Sequence, residues 1–214
     1  MTVETHNISA ADHALIKAAI GAAEKKTSGE VFAVVAQQSD DYFFVSGFFA
    51  GLWAVGFGLV LSVFAIWFEY PMTALTLAVG QAVSYGIWLL IFANFPGIRL
   101  MFVPNSIAYR RASSNAARQF LAHGIHNTEG RSGVLLFVSL AERYAEVVAD
   151  SGINERVDQG EWNTMVATLV SHARADDLGR GFVIAVEHAG NLLAQHFPPI
   201  KGKANELDDK LIEI

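Results

Sequence analysis

Hydrophobic and polar positions change their period from segment to segment along this chain, and each change marks an element. In residues 9–26, Leu15, Ile16, Ala19, Ile20 and Ala23 recur at helical spacing behind Ser9, an N-cap with Asp12 three residues on; Gly29 supplies the exit. Residues 31–36 are an unbroken apolar run between Gly29 and the polar Gln37-Gln38-Ser39-Asp40-Asp41, the pattern of a strand buried on both faces. Residues 106–122 predict a helix with Ile107, Ala108, Ala112, Ala116, Phe120 and Leu121 toward the core, ended by Gly124. A second apolar strand at 134–140 turns through Ala141-Glu142-Arg143 into a strand at 144–149. Helices at 161–174, with Trp162, Met165 and Leu169 inward, and at 178–197, with Phe182, Val186 and Leu193 inward, complete the series.

This order describes one α/β layer domain whose first two strands are parallel and joined by a right-handed crossover. Residues 1–42 are its first part and 96–197 its second. Residues 198–214 begin Pro198-Pro199, carry charges of both signs and read as a flexible tail.

Between the two parts the pattern loses its polar positions. Residues 43–68 and 72–95 carry no charge and are separated by Glu69-Tyr70-Pro71. Each run exceeds the ~20 residues needed to cross a ~30 Å hydrocarbon layer at ~1.5 Å per residue, which predicts a transmembrane hairpin over 43–95 and makes the lipid bilayer the first expected partner. Lys25 and Lys26 precede the hairpin, Arg99, Arg110 and Arg111 follow it, and its turn has no basic residue. Both termini are therefore expected on the cytoplasmic side of a bacterial inner membrane. Small residues recur every four positions at Gly47 and Gly51, at Ala50, Ala54 and Gly58, and at Ala74, Ala78, Ala82 and Gly86. Such stripes serve close packing of the two spans, or of two copies into a homodimer. Gln81 is the one strongly polar side chain well inside a span, suited to a helix–helix hydrogen bond; with no ionisable group there, a channel or transporter is not expected.

Composition sharpens the division. The 57 residues between Asp41 and Arg99 hold one of the 36 charged side chains and 15 of the 24 aromatics. A net charge of −6 offers no basic face for nucleic acid. The absence of cysteine excludes disulfides, thiolate catalysis and Cys-type metal centres. The opening Met1-Thr2-Val3-Glu4-Thr5-His6-Asn7 lacks the basic start and apolar core of a signal peptide, so the hairpin is expected to direct insertion.

Three segments resemble a known family: Thr27-Ser28-Gly29-Glu30 leading into the first strand, Arg131-Ser132-Gly133-Val134 leading through the second to Glu142-Arg143, and Glu146-Val147-Val148-Ala149-Asp150-Ser151-Gly152-Ile153. Their order is similar to the TPM domain, found in thylakoid-lumen and receptor-modulating proteins and in bacterial membrane proteins. The resemblance implies a three-layer α/β/α sandwich with a mixed sheet, here interrupted by the hairpin. It also implies an acid-phosphatase label and, in some members, calcium or another divalent cation. Many members carry an acidic residue before the Gly-Val-Leu strand, where this chain has Ser132, and an Asp before the last helix, where Asp176 and Asp177 correspond.

Phosphatase chemistry needs a nucleophile or metal-bound water, a group that holds phosphate, and an acid for the leaving group. The candidates are Asp40 and Asp41 after the first strand, Asp150 after the third, Asp176 and Asp177 before the last helix, and Arg131; as metal ligands, Asp150, Asp40, Asp41 and Asp176 form the expected set. Each also has a structural use, as a helix boundary, a turn residue or a cap. The seven histidines show no metal-ligand spacing, and no nucleophile elbow, Walker loop or dinucleotide fingerprint is present. The expected function is a membrane-anchored accessory or interaction module for membrane proteins, non-catalytic or weakly catalytic, with a divalent-metal-dependent phosphatase as the alternative.

Overall fold

The computed structural model describes residues 8–200 and 205–214. In chain order the elements are α1 (Ala10–Glu24), β1 (Glu30–Ala36), α2 (Phe43–Trp67), α3 (Ala74–Asn94), α4 (Pro96–Met101), α5 (Asn105–Ala122), β2 (Gly133–Ser139), β3 (Tyr144–Ala149), α6 (Ser151–Asn154), α7 (Gln159–Arg174), α8 (Leu178–His196) and β4 (Leu211–Glu213). They form two compact units, one spanning Asp40–Asn105 and the other made of the chain on either side of it.

In the α/β unit, α1 starts on a reciprocal capping box: Ser9 Oγ accepts from Asp12 N and Asp12 Oδ2 from Ser9 N, both at 3.1 Å. β1 and β2 are parallel from Glu30 opposite Gly133 to Ala36 opposite Ser139, and β3 returns antiparallel to β2. The sheet order is β3-β2-β1-β4. Every residue of β1 and β2 is buried, because both faces are covered. Val31, Ala33, Val35, Val134, Leu136 and Val138 pack with the apolar faces of α1, α7 and α8. The alternate positions Phe32, Val34, Ala36, Leu135 and Phe137 pack with Ala116 and Phe120 of α5 and with Ile125. The mixed sheet between helices is the expected three-layer arrangement.

Two expectations are corrected within this unit. The C-terminal residues are not a free tail: Leu211–Glu213 form β4, parallel to β1, with Ala33 opposite Leu211 and Val35 opposite Glu213. The ladder continues through Ile214 N to Val35 O at 3.0 Å and Gln37 N to Ile214 O at 2.8 Å, so β4 covers an edge that β1 would otherwise leave unpaired. Leu121 does not face the core but is 58% exposed, since α5 buries the face of Ala108, Ala112, Asn115, Ala116 and Phe120. Leu121 lies about 100° around the helix from Phe120.

In the other unit α2 and α3 pack on each other, with Thr73 Oγ1 capping α3 through Thr76 N at 3.1 Å. Ala50, Ala54 and Gly58 are buried, and the Gln81 side chain lies so close over Gly58 that a Cβ there would collide with its amide. The stripe on α3 behaves differently: Ala74, Ala78 and Ala82 are exposed. Packing in the hairpin therefore uses the small residues of α2 and not the alanines of α3. Trp53 and Trp88 stack at 5.2 Å between ring centroids. The outward side chains are large and apolar, among them Phe48, Leu52, Leu59, Val63 and Ile66. Both helices are long and apolar enough to cross a membrane.

Candidate functional site

Three of the four expected acidic ligands, Asp40, Asp41 and Asp150, accept hydrogen bonds from neighbouring residues. Asp40 Oδ1 accepts from Tyr42 N at 3.2 Å and Asp41 Oδ1 from Phe43 N at 3.1 Å, so both carboxylates hold the backbone where α2 begins. Here Tyr42 sits in the left-handed region, with φ 51°. Arg99 of α4 ties the C-terminal end of α3 to the same place: it donates to Phe92 O at 2.6 Å, to Ala93 O at 3.4 Å and to Asp41 O at 2.9 Å. A guanidinium on the last carbonyls of a helix satisfies acceptors that the helix cannot.

Asp150 follows β3 and sits where β1 and β2 begin, its N–H donating to Gly133 O at 3.0 Å. It caps the short α6, with Oδ1 accepting from Ser151 N at 2.5 Å and Ser151 Oγ at 3.0 Å. The residue is 6% exposed and its Oδ2 is buried without a hydrogen-bond partner. Asp176 lies past the other end of α7 in the left-handed region, with φ 58°. The 16 residues of α7, about 24 Å long at ~1.5 Å each, lie between Asp150 and Asp176 along the chain. Asp177 occupies the N-cap position of α8, as expected for this pair, without a side-chain cap bond. Arg131 is exposed, with φ 49°. Among the described residues no three His, Asp or Glu side chains are grouped to hold a metal ion. Of the histidines, His13 pairs with Glu213 at 2.6 Å and His188 with Glu161 at 2.9 Å. Burial holds the His123 imidazole below its ordinary value, with Lys210 adding to the effect.

The structure assembles instead a buried polar chain at the end of the parallel strands. Gln119 Nε2 donates to Asn115 Oδ1 and Asn115 Nδ2 to Ser39 Oγ, both at 3.3 Å. Ser39 Oγ is 2.7 Å from Ser139 Oγ, which donates to Glu142 Oε2 at 2.5 Å. Glu142 Oε1 accepts from Ser39 N at 3.0 Å. Ser39, Asn115, Ser139 and Glu142 are all buried. The donors run in one direction and end on a carboxyl group, so each polar atom in the chain meets a partner. Chemically this is a lock rather than a reaction centre: its hydroxyls are engaged and enclosed. It fixes Ser39, the last residue before the chain leaves the domain. Sequence reading placed Glu142 in a hairpin turn, and nothing at short range signals its partner 103 positions away.

At the opposite edge the segments that carry the family resemblance have mutual roles. Thr27 Oγ1 donates to Phe197 O at 2.6 Å and accepts from Gly29 N at 3.0 Å. Ser132 Oγ donates to Glu129 O at 3.1 Å and Ser28 O at 3.3 Å, while Ser132 O accepts from Glu30 N at 3.0 Å. A Cβ at Gly29 would sit 3.0 Å from Leu193 Cδ1 and 3.1 Å from Ser132 O, so this close approach favours glycine.

Residues 96–192 match the family model of the TPM domain. The chain also resembles the NMR structure of the BA42 protein from the psychrophilic bacterium Bizionia argentinensis, with a TM-score of 0.61 and 19% identity over 100% of both chains, a likeness of fold. No curated protein matches the chain. With its mixed sheet between helices, the chain is similar in fold to that structure, and over residues 96–192 it is similar to the TPM domain.

Proposed function

We propose that this protein is a membrane-anchored TPM-domain protein whose α/β unit serves as an interaction module for other membrane proteins. The observation that carries the reading is the outward surface of the hairpin unit, where side chains such as Phe48, Leu59 and Ile66 are 64–79% exposed. Water penalises such a surface by about 25 cal/mol per Å² of apolar area, and a hydrocarbon layer removes that penalty. The basic residues Arg99, Arg110 and Arg111 beyond the second span favour cytoplasmic termini. An interaction role is supported by the buried hydroxyls of Ser39 and Ser139, which are engaged with Asn115 and Glu142.

Alkaline washing of membranes from cells that express the full chain tests the anchoring: the protein is expected to stay in the pellet, and its release into the wash defeats the reading. Phosphate-ester hydrolysis by the full chain with calcium, magnesium or manganese tests the interaction role. No turnover is expected; turnover that disappears in Asp150→Ala establishes the phosphatase instead.

A further inference from the structure

The sheet has two edges, and the chain treats them differently. β4 is three residues long, follows Asp208, Asp209 and Lys210, and has its Glu213 paired with His13 at 2.6 Å, so charge guards that edge. β3, at the other edge, runs six residues in unbroken one-to-one register with β2, without lysine, proline or bulge, and all six are half-buried. The ladder fixes which of its backbone groups point outward. Asp150 N donates to Gly133 O, so Val148, Glu146 and Tyr144 exchange bonds with β2, while Ala145, Val147 and Ala149 turn their N–H and C=O groups away from it. Asn154 Nδ2 meets Ala149 O at 2.9 Å from that outer side. The outward groups of Ala145 and Val147 meet no partner among the described residues. Beside them, on the face that packs toward α5, stand Tyr144 and Glu146. The Tyr144 ring lies 5.5 Å from that of the exposed Tyr109, and its hydroxyl donates to Glu146 Oε2 at 3.1 Å. Among the described residues no cation pairs with Glu146.

Resting on the interaction role above, we propose that the β3 edge takes up an extended segment of another membrane protein, with a Lys or Arg of that segment opposite Glu146. An added strand pairs its backbone with Ala145 and Val147 and ends against the Asn154 cap. Its residue between those two pairs lies on the face of Glu146, where opposite charges attract across strands. The next position on the same face meets Tyr144 and Tyr109, which suit an aromatic or long apolar side chain. Charge complementarity selects the source of the segment: the chain carries a net charge of −6, and cytoplasmic stretches beside membrane spans are rich in Lys and Arg. Anchoring in the same bilayer raises the effective concentration of such a stretch at the edge. A second copy fits less well, because two antiparallel β3 strands centred on Val147 set the two Glu146 carboxylates diagonally on one face with no cation between them.

The test titrates the full chain in phosphatidylcholine nanodiscs against a fluorescein-labelled peptide, Thr-Tyr-Val-Lys-Val-Tyr-Thr, whose side-chain order is the same in either strand direction. Anisotropy is expected to show saturable binding that empty nanodiscs lack. N-methylation of both valines, whose N–H groups would pair with Ala145 and Val147, is expected to weaken binding about tenfold or more with the protein unaltered. Glu146→Lys is expected to lose the peptide to a similar degree and to bind instead the peptide with Glu in place of Lys, which the parent rejects. Absence of saturable binding, equal binding of the N-methylated peptide, or failure of the charge exchange overturns the proposal. So does a parent that is dimeric by mass in nanodiscs and becomes monomeric in Val147→Pro, which gives the edge to a second copy. None of these readouts involves turnover, so phosphate-ester hydrolysis would strike the interaction role, whereas a failure here strikes the β3 edge alone.

Discussion

Replacing Glu142 by alanine removes the acceptor on which the buried polar chain ends. Two donors lose their partner at once, Ser39 N at 3.0 Å and Ser139 Oγ at 2.5 Å, and both residues are enclosed. Each buried donor left unmatched costs about 1–3 kcal/mol, so the α/β unit is expected to lose roughly 2–6 kcal/mol. Glu142→Gln keeps one acceptor and the shape of the side chain, and is expected to cost less than half as much. Amide hydrogen exchange of β1 and β2 in the full chain is the suitable assay, because it reads this unit separately from the hairpin. At a factor of ten per ~1.4 kcal/mol, Glu142→Ala should speed exchange about thirty-fold or more. Acceleration below about threefold would show that Glu142 is not the terminus of the network, and the account of how Ser39 is fixed would fall with it.

Glu24 predicts a pH dependence of stability. Its carboxyl is raised from 4.5 to about 9 on folding, so below 4.5 both states hold the proton and its contribution is fully present; between 4.5 and about 9 the folded state alone keeps it, and stability falls as pH rises. The slope is at most ~1.4 kcal/mol per pH unit, less here because Glu24 is only partly shielded from water. Urea unfolding at pH 5, 7 and 9 should show the decline in the parent and a flatter line in Glu24→Gln; parallel lines contradict the assignment. Asp176→Gly relieves a left-handed residue with φ 58° and is expected to be neutral or to add up to about 1 kcal/mol. A loss above 1 kcal/mol in thermal melts would give the Asp176 side chain a role that its backbone position does not supply. Gly58→Leu drives a side chain into Gln81 and should separate α2 from α3. Its readout is energy transfer between labels placed on the two helices, and an unchanged transfer efficiency refutes the packing.

Local pattern carried most of the architecture because the forces that shape an element act within a few residues. The capping box at Ser9 and Asp12, the all-buried runs of β1 and β2 and the charge-free spans of the hairpin are each visible within a short window. The parallel pairing of β1 with β2 followed from two such runs joined through α5. Of the candidate site, the residue types were legible but their company was not. Asp40, Asp41 and Asp150 are chemically alike on paper, and only the folded backbone decides which N–H each carboxylate accepts from.

By itself, then, the sequence determined the division into a polar α/β domain and an apolar hairpin, since the distribution of charge along a chain must be matched by its surroundings. It also determined the faces that most helices bury. Tertiary structure alone decided the joints between distant segments: Ser39 with Glu142, His13 with Glu213, and Leu211 beside Ala33. A three-residue strand is too short to show a period, and a hydrogen bond across a hundred residues leaves no mark on either neighbourhood. Such contacts exist only once the sheet has brought their ends together.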